Sequence, residues 1–212
     1  GIYRPVYLEA VPERFIDHMA INAKADGSFY MDIFIQGSGK TNKVDAQLQT
    51  LDGKPFGSVI SAKLNKKQDR VTLIGMFTNP ALWNAECPKL YQVVVSLQNG
   101  KKITHQITQK FGFRTVEVKP GDGIYVNSQK IMFRGVCRHS FWPSSGRTSS
   151  KELSISVVNM MKDMNMNAVR MSHYPPDQHF LDVCDSLGLF VLDELAGWQG
   201  FYDTETGKRL VK

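Results

Sequence analysis

The fold of the second half of the chain is decided by residues 149–194, which read SSKELSISVVNMMKDMNMNAVRMSHYPPDQHFLDVCDSLGLFVLDE. Ser149-x-x-Glu152 is a capping box, and the apolar residues after it recur at helical spacing. Gly188 is placed to end a second helix, since glycine adopts the left-handed conformation at little cost. The stretch predicts helix, strand, helix and strand in turn, the last three at residues 167–170, 177–187 and 189–192.

A further strand is predicted before this stretch. Residues 123–134 indicate a hairpin, and its second arm, residues 130–136, is an apolar strand. Strand, helix, strand, helix, strand is the pattern of a parallel sheet, which is either doubly wound or the beginning of a barrel. The first strand-to-helix loop lacks the GxGxxG pattern, so nucleotide binding is disfavoured.

Residues 15–115 have a different pattern, typical of an all-β domain. Apolar and polar side chains alternate from Phe29 to Gln36 and again from Val44 to Thr50, as in half-buried strands. Asn99-Gly100 is a strong hairpin signal. Predicted strands lie at residues 29–36, 44–50, 57–64, 69–77, 90–97 and 103–109, with an apolar segment at 21–24. About seven short strands favour an immunoglobulin-like sandwich of two antiparallel sheets.

Composition and charge disfavour several classes of protein. The 212 residues carry a net charge of +6, but the basic side chains are scattered, and the densest group, around Lys66, lies in a predicted turn. We therefore expect no nucleic-acid partner. The sequence has no run of about 18 apolar residues, so we expect no membrane span. Three cysteines without close spacing indicate neither a zinc site nor a disulfide framework, and we expect no metal and no cofactor.

Polar side chains follow the predicted parallel strands at the point where each strand ends. His139 comes three residues after the first strand, and Arg170 ends the second strand, with His173 three residues later. Asp193 and Glu194 end the third strand. Because the carboxyl ends of parallel strands meet at one edge of a sheet, these side chains are expected to form a ligand site. The alternative is a structural ion pair between Arg170 and one of the two carboxylates.

Several motifs together resemble glycoside hydrolase family 2, which contains β-galactosidases, β-glucuronidases and β-mannosidases. They are WNAECPKLY at residues 83–91, FGFR at 111–114, FRGVCRH at 133–139, NAVRMSHYP at 167–175 and CDSLGLFVLDE at 184–194. The resemblance implies an immunoglobulin-like β-sandwich at residues 15–115, followed at 116–212 by about the first three βα units of a (β/α)8 TIM barrel. Residues 1–14 then correspond to the closing strand of a preceding jelly-roll domain and a linker.

The activity that the resemblance implies is retaining hydrolysis of a terminal β-glycosidic bond in a carbohydrate. Retention needs a nucleophilic and an acid/base carboxylate about 5–5.5 Å apart. In the family these glutamates follow barrel strands four and seven, so both catalytic residues are expected beyond this chain, which would be inactive alone. Glu194 follows strand three and is not assigned to either role.

By the same resemblance, His139, Arg170 and His173 match positions that line the subsite for the sugar, where they would bind hydroxyl groups. The alternative for each is a structural hydrogen bond at the barrel rim. The chain also departs from the family pattern, since Cys137 stands where asparagine is usual. The segment after Glu194 lacks the Glu-x-His of some β-galactosidases, which argues against a magnesium site. Trp198 is expected either to stack on a sugar or to pack.

A second function stays open, a non-catalytic β-sandwich module that binds carbohydrate or a partner protein. An unfinished barrel leaves an open strand edge, so we expect self-association into a homo-oligomer through it. The motifs do not choose among galactose, glucuronate and mannose. Cellular location is also left open between cytoplasmic and periplasmic or secreted, because a signal peptide would precede residue 1.

Overall fold

The computed structural model describes residues 2–195, 203 and 205–207. The chain divides into two compact units, Tyr7–Ile131 and Gly1–Val6 together with Met132–Lys212. Each unit has its own cluster of buried apolar side chains. Within the described ranges, no helix has the length and apolar character that crossing a membrane requires.

The first unit is built on seven antiparallel strands, as the alternating pattern predicts. They are β1 (Arg14–Ala23), β2 (Ser28–Gly37), β3 (Lys43–Thr50), β4 (Ile60–Lys63), β5 (Arg70–Met76), β6 (Tyr91–Asn99) and β7 (Lys102–Phe111). One sheet has the order β1-β2-β5 and the other the order β4-β3-β6-β7. The immunoglobulin-like sandwich is therefore confirmed.

Alternation along the strands builds the core of the sandwich. In β2, Phe29, Met31 and Ile33 are buried, and Val44 and Leu48 are buried in β3. Full burial of such a side chain stabilises the fold by about 1.5–3 kcal/mol. The outward positions of the same strands are mainly polar. Only one orientation of each strand therefore buries its apolar side chains.

The turn between β1 and β2 shows how local chemistry sets the register. The Asp26 carboxylate accepts hydrogen bonds from the backbone N–H and the hydroxyl of Ser28. Gly27 has a φ of +87°, and a Cβ there would lie 1.9 Å from the carbonyl oxygen of Phe77. Only glycine fits at that position.

The extent of β1 differs from the sequence prediction, which marked only residues 21–24. The strand begins at Arg14, and its pairing with β2 shifts between Ile16 and His18. Such a bulge moves the following side chains to the opposite face, so the period of two is interrupted and the strand is hidden in the sequence. Residues 2–13 form neither helix nor strand. A pairing of residues 1–8 with a preceding domain stays a prediction.

A small antiparallel sheet follows the sandwich within the same unit. It has the order β10-β9-β8, from β8 (Val116–Lys119), β9 (Gly123–Val126) and β10 (Gln129–Ile131). The prediction of one strand over residues 130–136 is wrong, because β10 ends at Ile131 and the next strand begins at Gly135. The Asn167 side chain accepts from the N–H of Arg134 and donates to the carbonyl oxygen of Met132. These bonds occupy backbone groups that a continuous strand would pair.

The second unit has the predicted order of strands and helices. It contains β11 (Gly135–Arg138), α1 (Lys151–Asp163), β12 (Ala168–Met171), α2 (Gln178–Leu187) and β13 (Phe190–Leu192). The three strands are parallel in the order β11-β12-β13 and form an open sheet. Gly188 has a φ of +81° and ends α2, as predicted.

The two helices cover one face of this parallel sheet. Val169 and Met171 of β12 are buried in one apolar cluster with Val158 of α1 and Phe180 of α2. Gly135 is required where β11 meets β12, since a Cβ there would lie 1.8 Å from the carbonyl oxygen of Ala168. The opposite face is exposed at Cys137, Arg170 and Leu192, the three residues that pair across the strands.

The cap of α1 lies one residue later than the sequence predicts. The hydroxyl of Ser150 accepts from the N–H of Leu153 at 3.2 Å, and Ser150 has the extended backbone of an N-cap. The Ser149 hydroxyl is buried without a hydrogen-bond partner. A capping box from Ser149 to Glu152 is therefore wrong, because the backbone turns into the helix only at Lys151.

Replacing the two serines separately tests this cap. Ser150→Ala is expected to lower the free energy of unfolding by about 1 kcal/mol, the usual effect of losing an N-cap acceptor. Ser149→Ala removes a hydroxyl that has no partner and is expected to leave stability unchanged or raise it. Urea unfolding followed by circular dichroism measures both. An equal loss in the two variants would contradict the assignment.

Candidate functional site

The candidate site lies at the carboxyl ends of the three parallel strands. Strand geometry determines which side chains reach it, because successive residues point to opposite faces. Val169 and Met171 face the helices, so Arg170 between them points to the uncovered face. The parallel register places Cys137 and Leu192 beside Arg170, and Glu194 follows two residues after β13.

Glu194 is the centre of the hydrogen bonding in this cluster. One carboxylate oxygen accepts from Nε of Arg170, and the other lies 3.2 Å from Nδ1 of His173. The ion pair between Arg170 and Glu194, one alternative left open by the sequence, is therefore formed. It joins the end of β12 to the chain that leaves β13.

The charges of the cluster reinforce one another. The hydrogen bond from Arg170 lowers the pKa of Glu194 below its ordinary range, and the contact with His173 lowers it further. The same bond from Glu194 raises the pKa of Arg170. A hydrogen bond between two ionised groups favours the charged form of each, so Glu194 is an anion at neutral pH.

His139 lies against the same cluster. Its ring centroid is 5.4 Å from that of His173, with the planes nearly perpendicular. The hydroxyl of Tyr174 lies 3.5 Å from Nδ1 of His139 and accepts from the backbone N–H of Ser140 at 3.2 Å. The guanidinium of Arg147 stacks 4.4 Å from the centroid of the Tyr174 ring. Tyr174 and Arg147 support the site, but sequence analysis selected neither as a site residue, although Tyr174 lies in the motif at residues 167–175.

The structure thus brings together His139, Arg170, His173 and Glu194. Asp193 has another role, since its Oδ1 accepts from the N–H of Glu194 and shapes the loop. His179 makes its contacts elsewhere, with the Ser154 hydroxyl at 3.0 Å. Trp198 lies outside the described residues.

The assembled groups are suited to binding hydroxyl groups. Arginine contributes only donors, whereas an uncharged imidazole offers one donor and one acceptor. Both oxygens of Glu194 are engaged, one by Arg170 and the other by His173. In the described part of the chain, no group of three His, Cys, Asp or Glu side chains is arranged to hold a metal ion.

Fold and site together define a class of protein, an immunoglobulin-like sandwich followed in the chain by βα units with a polar cluster at their carboxyl ends. Family descriptions match both parts. "Glycosyl hydrolases family 2" matches residues 15–114, and "Glycosyl hydrolases family 2, TIM barrel domain" matches residues 116–205. The chain belongs to glycosyl hydrolase family 2, as its motifs predict.

Similar proteins of the family are longer than this chain. A beta-galactosidase of Halalkalibacterium halodurans is 34% identical over 203 residues, which are 92% of this chain and 20% of that protein. A beta-glycosidase structure from Bacteroides vulgatus has 28% identity and a TM-score of 0.82, over 100% of this chain and 28% of that one. A beta-glucuronidase structure from Bifidobacterium dentium, complexed with coumarin-3-O-glucuronide, has the same fold at 23% identity and a TM-score of 0.80, over 87% of this chain and 31% of that one. The chain spans about a fifth of the curated relative's length.

Removing Arg170 should move the titration of Glu194. In Arg170→Met the pKa of Glu194 is expected to rise toward the ordinary value of about 4.3, because the cation that favours the carboxylate is gone. In the native chain this ion pair stabilises the fold above the ordinary carboxyl pKa, and the contribution is lost as pH falls through the depressed folded-state pKa. Titration of the Glu194 carboxyl carbon by NMR measures the change.

Arg147→Met is the matched control for this titration. It removes a nearby guanidinium that stacks on Tyr174 and makes no described bond with Glu194. The pKa of Glu194 is expected to be the same in this variant as in the native chain. A pKa of Glu194 that is the same in Arg170→Met and the native chain would contradict the ion pair.

Proposed function

We propose that the whole protein is a retaining glycoside hydrolase that cleaves terminal β-glycosidic bonds, and that the cluster around Glu194 is part of its sugar subsite. The observation that carries the proposal is the convergence of His139, Arg170 and His173 at one end of a parallel sheet. Sites of α/β sheets form at that end. Membership of glycosyl hydrolase family 2 supports the reaction class. Relatives named beta-galactosidase and putative beta-glucuronidase, 34% and 33% identical to this chain, support a β-galactoside or β-glucuronide as substrate.

In this proposal the three residues bind and orient the sugar. His139 and His173 form hydrogen bonds with hydroxyl groups, for which an imidazole is suited because it can donate and accept. Arg170 donates to a hydroxyl or to a carboxylate supplied by later strands. A guanidinium beside such a carboxylate keeps it ionised, which suits the nucleophile of a retaining hydrolase.

The 212-residue chain itself is proposed to be inactive. Retaining hydrolysis needs two carboxylates about 5–5.5 Å apart, one on each side of the scissile bond. Glu194 is engaged by Arg170 and His173. We propose that both catalytic glutamates lie in later βα units of the whole protein. The alternative, a binding function of the β-sandwich alone, is disfavoured because the polar cluster lies among the βα units and not in the sandwich.

The chain is expected to bind an aryl β-glycoside without cleaving it. Adding p-nitrophenyl β-galactoside or β-glucuronide should shift the NMR signals of His139 and His173 and release no nitrophenol. Arg170→Ala should weaken this binding by about tenfold, the loss of roughly one charged hydrogen bond.

Leu51→Ala is the control, since Leu51 is an exposed residue of the sandwich unit and should leave binding unchanged. If neither glycoside shifts the NMR signals of the two histidines, the proposed sugar subsite is contradicted. Nitrophenol release by the purified chain that disappears in Arg170→Ala would contradict the absence of the catalytic pair.

We also propose that the chain self-associates through its parallel sheet. The strand edges and one face carry exposed side chains, and Leu192 at the end of β13 is 63% exposed. Open edges and uncovered apolar surface favour association. Light scattering should report a mass above that of a monomer, and Leu192→Glu should reduce it, whereas Leu51→Glu should not. A strict monomer at high concentration would contradict this proposal.

A further inference from the structure

Glu194 has no assigned role in sugar binding, although it contacts two of the three proposed sugar-binding residues. Each of its carboxylate oxygens has a different partner, Arg170 Nε for one and His173 Nδ1 for the other. Its side chain is 21% exposed, and that of His173 is 29% exposed. Both side chains are therefore partly accessible to solvent.

This contact determines which ring nitrogen of His173 carries the proton. An ionised carboxylate can only accept, so Nδ1 of His173 must be the donor. In the uncharged ring Nε2 then carries the lone pair and acts as an acceptor. Without a partner at Nδ1, an uncharged histidine in water favours the opposite tautomer, with the proton on Nε2.

The same contact restricts Arg170. Because Nε is held by Glu194, the plane of the guanidinium is set, and its terminal nitrogens extend from that fixed edge. NH1 lies 3.9 Å from Sγ of Cys137, which is a weak contact. Arg170 and His173 are thus held by the two oxygens of one carboxylate.

The surroundings of His139 differ from those of His173. The Tyr174 hydroxyl lies 3.5 Å from Nδ1 of His139 and accepts from the N–H of Ser140. A hydroxyl can donate and accept at the same time, so this contact selects neither tautomer of His139. Of the two neighbouring imidazoles, only His173 has a carboxylate at Nδ1 that selects its tautomer.

We propose that Glu194 is a positioning residue of the sugar subsite, which holds His173 as the Nδ1–H tautomer and fixes the plane of the Arg170 guanidinium. The subsite then offers an acceptor on His173 next to donors on Arg170, a pattern that matches two neighbouring hydroxyl groups of one sugar ring. The sugar part of this inference rests on the proposed function, whereas the tautomer part stands on the geometry alone.

Nitrogen-15 NMR of the imidazole rings tests the tautomer in the native chain. At about pH 8, where uncharged imidazole predominates, His173 should give a protonated Nδ1 and an unprotonated Nε2. His105 provides an internal reference of the opposite type, because its Nδ1 accepts from the N–H of Ile16 at 3.0 Å. The chain has five histidines, so the signals can be assigned with single His→Gln variants. An Nε2–H tautomer of His173 in the native chain would overturn the proposal without any variant.

Glu194→Ala provides the second test. His173 should change to mainly the Nε2–H tautomer, while His105 keeps its signals and shows that the sandwich is folded. Tyr174→Phe is the matched control, since it removes the hydroxyl beside His139 and leaves the carboxylate beside His173. An unchanged His173 tautomer in Glu194→Ala, or the same change in Tyr174→Phe, would overturn the role of Glu194.

A glycoside titration separates this proposal from the proposed function. With p-nitrophenyl β-galactoside or β-glucuronide, Glu194→Ala should bind at least tenfold more weakly than the native chain. Equal affinity would overturn the positioning role even if the tautomer changes. If neither glycoside binds the native chain, the proposed function fails, and the tautomer measurement still decides whether Glu194 sets the state of His173.

Discussion

The structure of the second unit depends on close parallel pairing of three short strands. Gly135 allows β11 to approach β12 at the carbonyl oxygen of Ala168, where any side chain would collide. The side chain of Asn167 holds the segment before β11 through two backbone hydrogen bonds. This pairing sets the register that places Cys137, Arg170 and Leu192 side by side. The position of Arg170 beside the segment that carries Glu194 follows from that register.

At the rim, one carboxylate organises residues that lie far apart in the chain. Glu194 is 24 positions from Arg170 and 21 from His173, and it bonds with both. A carboxylate that accepts from two such donors is stabilised in its ionised form. The chain corresponds to about a fifth of the length of a curated relative.

Sequence reasoning succeeded where one physical signal dominated. Alternation in β2 and β3 reflects burial on one face, and the left-handed Gly188 ends α2 because no other residue takes that conformation as cheaply. It failed where two signals competed. A bulge near Ile16 concealed most of β1, and the choice between Ser149 and Ser150 as helix cap depended on where the backbone turns.

The sequence alone determined the order of strands and helices in the second unit, the family, and the fact that His139, Arg170, His173 and Glu194 follow strand ends. Those features come from local periodicity and from motifs, both of which depend only on the order of residues in the chain. Only the tertiary structure decided the partners: Glu194 bonds with both Arg170 and His173, and Tyr174 contacts His139. Such pairings depend on strand register and side-chain direction. Residues that are distant in sequence come into contact only when the sheet has formed.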